Sequence, residues 1–246
     1  MSGSPSFIFL AALGSWWNPF AQDAPNNDQS AKSPLAQNVP NNDQCGPDVS
    51  TYQGAVDWKK VAQANPPFAI AKASEGPTYV DDQFHTNWQQ IKQNNIRKRG
   101  AYHFGHPNQD AKTQALHFMN TVGQIGANDF VALDIESASR RRLNATSVGR
   151  MLLAPQDVAQ WAKDFVDTIA ATGVHKSQIF IYTGSWFWDS QAGGSDIVSD
   201  HPLWISSYTS SEPKAAQGWS EWKLWQFTDR ASIPGINGGV DCSKFK

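Results

Sequence analysis

The sequence predicts an α/β fold, namely an irregular TIM-like (β/α) barrel of eight strands with fewer helices, about (β/α)5(β)3. Short β-branched and aromatic runs alternate with stretches of helical periodicity, which is typical of βα units around a mainly parallel sheet. The helical signal thins after Tyr182, so the last strands are expected to be joined by loops. A length of 246 residues suits one barrel or sandwich better than two small domains.

Eight short apolar runs are the predicted strands, and each is bounded by turn-forming residues or by a helical segment. Because barrel enzymes place their chemistry at the carboxyl ends of the strands, acids at those positions are of first interest. In chain order the predicted strands are 47–50, 68–73, 100–104, 130–135, 178–182, 203–207, 223–227 and 239–242.

The clearest helical pattern covers residues 155–171. Pro155 suits the first turn of a helix, and Gly173 suits its C-terminal stop. Trp161 lies on the apolar face of this helix, so it is expected to be core and not a sugar platform. Further helices are predicted at 57–64, 82–95 and 110–124.

Residues 1–44 differ in composition from the rest of the chain. The apolar run 7–13 is too short to span a bilayer and lacks the basic flank of a secretory signal, so it is a weak signal, an anchor or a docking segment. The sequence AQDAPNNDQ at 21–29 recurs as AQNVPNNDQ at 36–44, which is typical of a flexible linker. The predicted catalytic domain is 45–246.

Charge and composition exclude several function classes. The formal net charge of -2, without a sustained basic run, does not match a nucleic-acid binder. The scattered histidines and two distant cysteines lack metal-ligand spacing, so no metal site and no cofactor are predicted. No segment is a candidate for an integral membrane domain. The eleven tryptophans serve either as core or as flat platforms for sugar rings.

The run 130–136 ends in a pair of acids, Asp134 and Glu136. Alternation along a strand places both on one face, with Cα atoms about 6.5 Å apart. Mutual repulsion and apolar neighbours raise the pKa of one carboxyl, which keeps it protonated for donation to a glycosidic oxygen. An isolated pair of this kind is more often a salt-bridged or helix-capping pair.

Two further acids lie in the first and last predicted strands, which become neighbours if the barrel closes. Asp48 is in the first strand and Asp241 in the last, so both are expected to face one cleft. The same closure brings Cys45 and Cys242 together. They are either free thiols or a disulfide that suits an oxidising compartment.

Short motifs follow one another through nearly the whole domain. They are Asp48-Val49-Ser50 with Gln53 and Asp57-Trp58, Lys72-Ala73-Ser74-Glu75-Gly76 with Tyr79 and Asp81, Gly100-Ala101-Tyr102-His103-Phe104, Leu133-Asp134-Ile135-Glu136, Tyr182-Thr183, Leu203-Trp204, Trp225-Gln226-Phe227-Thr228 and Gly239-Val240-Asp241. In this order they resemble glycoside hydrolase family 25, the lysozyme family of the Chalaropsis-type and phage-encoded muramidases. Each motif is weak alone, but the ordered set is specific.

The resemblance implies hydrolysis of the β-1,4 bond between N-acetylmuramic acid and N-acetylglucosamine in peptidoglycan. By the resemblance Glu136 is the general acid, and Asp134 assists the substrate's acetamido group as internal nucleophile. The reaction is then retaining without a glycosyl-enzyme bond. Asp48 and Asp241 match two further acids of the cleft. A direct nucleophile role for Asp134, or a base in an inverting reaction, stays open.

Other residues near predicted strand ends are candidate substrate contacts. Lys72 either lines the cleft or forms a structural ion pair with Glu75, and His103 is expected to be a structural histidine. Some of the aromatic candidates are expected to be core. These candidates are Tyr102, Tyr182, Trp186, Trp204, Tyr208 and Trp225.

The segment 137–154, which carries Arg140, Arg141 and Arg142, is longer and more basic than the family's usual loop. It is either a surface insertion or a glycan contact.

Two rival functions remain, a chitinase-like glycosidase and a non-catalytic glycan-binding barrel. The second usually lacks one of the four acids, and all are present here. The expected enzyme is a monomer that meets peptidoglycan strands after secretion, in the periplasm or by phage delivery.

Overall fold

The computed structural model of the chain describes residues 45–136 and 154–246. Within these residues, strands and helices alternate up to the seventh strand, except at the hairpin of the second and third strands, and the remaining strands are joined by loops. The strands are β1 (Gly46–Val49), β2 (Ala69–Glu75), β3 (Tyr79–Val80), β4 (Arg99–Phe104), β5 (Asp129–Asp134), β6 (Ile179–Thr183), β7 (Leu203–Ser206), β8 (Leu224–Ala231) and β9 (Val240–Phe245). The helices are α1 (Trp58–Gln63), α2 (Phe84–Gln93), α3 (Ala111–Val122), α4 (Pro155–Ala171) and α5 (Ser185–Gln191).

The described strands form one sheet in the order β1-β9-β8-β7-β6-β5-β4-β2-β3, and β1 also pairs with β2. This second pairing closes a barrel of eight strands, with β3 attached to β2 as a hairpin partner. All neighbouring barrel strands are parallel except β9, which is antiparallel to both β1 and β8. The architecture is therefore a closed mixed barrel of eight strands with few helices, which confirms the predicted fold class, and four of the five helices in the described residues match predicted ranges.

The barrel interior is aromatic at the end where the parallel strands begin. The rings of Phe68, Phe130, Phe180 and Phe245 pack there, with the closest pair of centroids, Phe68 and Phe245, 4.8 Å apart. Gly46 makes room for this plug, because a Cβ on it would lie 2.1 Å from the Phe68 ring. The aromatic cluster therefore fills one end of the barrel interior, and polar side chains occupy the opposite end.

The outer face of the sheet packs against the helices. Residues that alternate with the interior set, such as Val131 and Leu133 on β5, belong to a second apolar cluster with helix residues. Trp161 of α4 is 8% exposed in that cluster and stacks on Phe165, which confirms that it is core. Burial on both faces explains why these strands are continuous apolar runs in the sequence.

The seam between β1 and β9 joins the first and last strands of the barrel. Pro47 lies opposite Cys242 in the antiparallel ladder. Cys45 and Cys242 form a disulfide with Cα atoms 5.5 Å apart across 197 residues of sequence. The disulfide that the sequence left open is therefore present, and it links the strands that close the barrel.

Two short elements were not predicted. β3 has two residues, too few for a visible alternation. α5 begins at Ser185 and its tryptophans and phenylalanine are consecutive, so no helical period shows.

In the described part of the chain, no helix has the length and apolar character needed to cross a membrane. The expectations for residues 1–44 and for the loop 137–153 lie outside the described residues.

Candidate active site

The structure brings together the four acids predicted from the sequence. Asp48 and Asp241 are direct cross-strand partners on β1 and β9. Asp134 is the last residue of β5, and Glu136 follows two residues later on the same face. Each acid interacts electrostatically with at least one other of the set. They occupy the polar end of the interior, where the parallel strands finish.

Burial raises the pKa of every acid in this cluster, and the charges of neighbouring acids raise it further for Asp48, Asp134 and Asp241. Burial raises the pKa of Asp134 well above its usual range, and the charge of Glu136 raises it further. Burial and the charge of Asp241 do the same for Asp48. Burial raises the pKa of Glu136, and burial with the charges of Asp229 and Glu136 raises the pKa of Asp241 to about 7. The cluster therefore holds protons near neutral pH.

The Oδ1 atom of Asp134 is buried and has no hydrogen-bond partner among the described residues. A carboxylate oxygen without a donor cannot replace the hydration that it loses on burial. This environment favours the neutral form of Asp134 in the resting site. A substrate group that donates a hydrogen bond to this carboxyl would favour its ionised form.

Lys72 supplies a positive charge to the cluster. Its charge lowers the pKa of Asp48, Asp134 and Glu136, opposing the effect of burial. Its Nζ also lies 2.7 Å from Glu75 Oε2, so the ion pair that the sequence offered as one interpretation of Lys72 is present.

The ammonium of Lys72 is held from several sides. Glu75 bridges it to His106, whose Nε2 lies 3.1 Å from Glu75 Oε1. The hydrogen bond from His106, with that from Lys72, lowers the pKa of Glu75 to about 2 despite burial. Lys72 Nζ also lies 5.2 Å from the centre of the Phe104 ring, within range of a cation–π interaction.

His103 is a structural histidine, as expected. It is fully buried on the outer face of the sheet, with Nδ1 2.9 Å from Ser74 Oγ and Nε2 3.2 Å from Gln114 Oε1. Burial lowers its pKa to about 3, so the ring is neutral.

The aromatic candidates separate into two groups by exposure. Trp186 is 55% exposed and Tyr208 is 52% exposed, and both follow the ends of barrel strands. Trp204 is 1% exposed inside the barrel, with its indole donating to Ser243 Oγ, and Trp225 is 4% exposed on the outer face. Neither of these two rings has an open face, so we leave both out of the proposed sugar contacts.

Tyr102 and Tyr182 lie between these extremes. Both point into the barrel and join the inner apolar cluster, and both interact electrostatically with Asp134. The Tyr182 hydroxyl donates to Gln226 Oε1 at 2.8 Å. They form the wall beneath the acids, with Tyr102 less buried than Tyr182.

The candidate list from the sequence lacks two exposed tyrosines. They belong to the rim, by which we mean the residues that directly follow barrel strands at the end of the barrel where the acids lie. Tyr52 is 73% exposed on the 3-10 turn Thr51–Gln53 after β1, and Tyr79 is 41% exposed on β3 after β2. The Asp81 carboxylate accepts from the Thr51 N–H at 2.9 Å, which holds that turn in place. Both tyrosines follow predicted strand ends, which is the signal that would have found them.

Comparison with known proteins identifies relatives over most of the chain. The family model for glycosyl hydrolases family 25 matches residues 47–236. Lysozyme M1 of Streptomyces globisporus is 30% identical over 202 residues, 81% of this chain and 67% of the relative. An N,O-diacetylmuramidase of Chalaropsis sp is 29% identical over 80% of this chain and 95% of the relative. The crystal structure of a bacterial lysozyme from Streptomyces coelicolor matches with a TM-score of 0.73 and 30% identity, covering 82% and 92% of the chains.

Proposed function

Because this chain belongs to glycosyl hydrolases family 25, we propose that it is a peptidoglycan hydrolase that cleaves the β-1,4 bond between N-acetylmuramic acid and N-acetylglucosamine. The observation that carries the proposal is the buried cluster of Asp48, Asp134, Glu136 and Asp241 at the polar end of the barrel interior. Its proton-holding carboxyls supply the acid that glycosidic cleavage requires.

In the proposed mechanism Glu136 protonates the glycosidic oxygen as the bond to C1 breaks. The carbonyl oxygen of the substrate's own acetamido group attacks C1, so no bond to the protein forms. Asp134 accepts a hydrogen bond from the acetamido N–H, which increases the negative charge available on the attacking oxygen. Water then attacks C1 from the side opposite the acetamido oxygen while Glu136 takes a proton from the water. The bond between C1 and the acetamido oxygen breaks, which regenerates the acetamido group, and the configuration is retained.

In the proposed mechanism, the interaction between Asp134 and Glu136 directs the proton to Glu136. Before substrate binds, the unpartnered oxygen of Asp134 favours its neutral form. An acetamido N–H supplies the missing donor and favours the Asp134 carboxylate. The negative charge of that carboxylate then raises the pKa of Glu136, which carries the proton.

The exposed aromatic residues that follow the barrel strands suit sugar binding. Trp186 and Tyr208 follow β6 and β7, whereas Tyr52 and Tyr79 follow β1 and β2, so exposed rings lie on strands from different parts of the barrel. Flat apolar rings stack on the C–H faces of sugars. We propose these four residues, with Lys72, Tyr102 and Tyr182, as the glycan contacts.

We also propose that the enzyme acts outside the cytoplasm, with residues 1–44 as its tether. The disulfide between Cys45 and Cys242 supports this location, because such bonds persist in oxidising compartments. Peptidoglycan lies in the same compartment. Mass spectrometry of the protein recovered from culture supernatant, periplasm and cytoplasm would test the location.

The substitution Glu136→Gln tests the function directly. It removes the transferable proton while keeping the shape of the side chain, so lysis of purified peptidoglycan should fall about 10²- to 10⁴-fold. Glu221→Gln is a matched control, because Glu221 is an exposed acid that pairs with Lys223 outside the barrel. A Glu136→Gln variant with an unchanged melting temperature and more than about a tenth of wild-type activity would contradict the assignment.

The identity of the new reducing end tests the bond that is cut. Products are reduced with borohydride and identified by mass spectrometry, and muramitol is the expected reduced sugar. Glucosaminitol would place the cut at the other bond. Faster turnover of chitin oligomers than of peptidoglycan would favour the chitinase-like alternative. The anomer formed first, followed by proton NMR, tests whether the configuration is retained.

A further inference from the structure

Gln226 lies at the centre of a hydrogen-bond network that joins distant parts of the site. It is on β8, points into the barrel and is 2% exposed. Its Nε2 donates to Asp48 Oδ2 at 2.8 Å. Its Oε1 accepts from the hydroxyls of Tyr182 and Tyr208, both at 2.8 Å. One side chain therefore links β1, β6 and the loop after β7.

These contacts require an amide. The two phenols donate, so they occupy both lone pairs of the Gln226 oxygen, while the nitrogen supplies the donor that Asp48 needs. A methionine of the same length has neither group. A glutamate matches the pattern only when it is protonated, because its ionised form would put a second negative charge beside Asp48.

The amide acts on both the acid cluster and the rim. Its N–H stabilises the ionised form of Asp48 against burial. Tyr208 is half exposed, but its hydroxyl is anchored to Gln226, which fixes the angle of a ring that faces solvent. The titratable and charged groups that interact with Asp48 from the packed elements are Lys72, Tyr102, Asp134, Glu136, Tyr208 and Asp241.

We propose that Gln226 is a positioning residue that fixes the Asp48 carboxylate and the Tyr208 ring in one hydrogen-bonded unit. Glycan bound against Tyr208 is thereby held at a set position relative to the acids. Gln226 itself does not touch the reacting atoms. The kinetic part of this proposal rests on the proposed function, whereas the geometry of the unit does not.

The decisive comparison is between Gln226→Met and Gln226→Glu, assayed on soluble peptidoglycan fragments from about pH 3 to pH 8. Gln226→Met should lower kcat/KM about 10- to 100-fold, the range for a hydrogen bond to a charged group, and should move the acid limb of the pH profile upward. Gln226→Glu should recover activity at the acid end, where its protonated carboxyl reproduces both contacts. A purely structural role would not produce this recovery.

Tyr208→Phe separates the rim from the acids. It removes one phenol and leaves the amide on Asp48, so it should raise KM about 3- to 10-fold with little change in the pH profile. The double variant Tyr208→Phe with Gln226→Met should have the same KM as Gln226→Met alone, because Gln226→Met already removes the hydrogen bond between Tyr208 and Gln226. An unchanged KM in Tyr208→Phe would overturn the proposal, even if both Gln226 variants fail to fold.

A measurement without turnover separates this proposal from the proposed function. The carboxyl carbon of Asp48 is titrated by NMR in the wild-type protein and in Tyr182→Phe and Gln226→Met. The pKa of Asp48 should rise in Gln226→Met and change much less in Tyr182→Phe. No rise would overturn the proposal, whatever the substrate. A wild-type enzyme that leaves peptidoglycan intact would contradict the proposed function alone, and the titration would still decide the role of Gln226.

Discussion

Replacing Asp241 by asparagine should increase stability at alkaline pH and remove a group from the acid cluster. Burial and the charges of Asp229 and Glu136 raise the pKa of Asp241 from 3.8 to about 7. Well below pH 3.8 the carboxyl is protonated in both the folded and the unfolded chain. As the pH rises toward 7, the unfolded chain ionises while the folded chain keeps its proton, so the free energy of unfolding decreases.

The size of this effect follows from the two pKa values. A rise in the pKa of Asp241 from 3.8 to about 7 lowers the free energy of unfolding at alkaline pH by ~4 kcal/mol. The partial exposure of Asp241 reduces this loss to about 2 to 4 kcal/mol. Asp241→Asn keeps the shape of the side chain and removes the ionisation. It also removes the repulsion on Asp48, which acts in the same direction. The variant should therefore exceed the wild-type stability at pH 8 and match it near pH 3.5.

Urea unfolding followed by tryptophan fluorescence measures this difference at both pH values. Asp196→Asn, at an exposed acid in the loop before β7, is the control for a general loss of negative charge. Peptidoglycan lysis should fall in Asp241→Asn although its stability rises. An equal change in the free energy of unfolding at both pH values would refute the reasoning, as would a variant less stable than wild type at pH 8.

Three further substitutions test other parts of the structure. Replacing Cys45 and Cys242 by alanine frees a loop of 197 residues, so the free energy of unfolding should fall by about 4 to 5 kcal/mol, with denaturation no longer sensitive to reductant. Lys72→Met removes the cation that lowers the pKa of neighbouring acids, so the pH optimum of lysis should move upward; an unchanged optimum would count against this role. Gly46→Ala places a Cβ 2.1 Å from the Phe68 ring, so the free energy of unfolding, measured by thermal denaturation, should fall by about 1 to 3 kcal/mol. An unchanged melting temperature would mean that β1 shifts to accommodate the methyl group.

Local pattern was sufficient to predict the order and type of the main elements. The eight barrel strands and the bounds of α4 follow from apolar runs, helical spacing and the signals of Pro155 and Gly173. Alternation also predicts that Asp134 and Glu136 share a face. These features could be predicted because each depends on neighbours within a few residues along the chain.

The placement of the aromatic residues was decided by tertiary structure. Trp186 and Trp204 both lie near predicted strand ends, yet one is exposed and the other is sealed inside the barrel. Trp225 and Gln226 are consecutive, and alternation requires only that they face opposite sides. Which side is the interior depends on the helices and loops packed against the sheet. That packing is determined by residues far away in the sequence.

Residue order and spacing were sufficient to predict the α/β barrel and to single out Asp48, Asp134, Glu136 and Asp241 as candidates. Tertiary structure decided the environment of those acids, including the amide of Gln226, the charge of Lys72 and the burial that raises their pKa values. Residue identity and periodicity are local properties, whereas desolvation and electrostatic interaction depend on which side chains the closed barrel brings together.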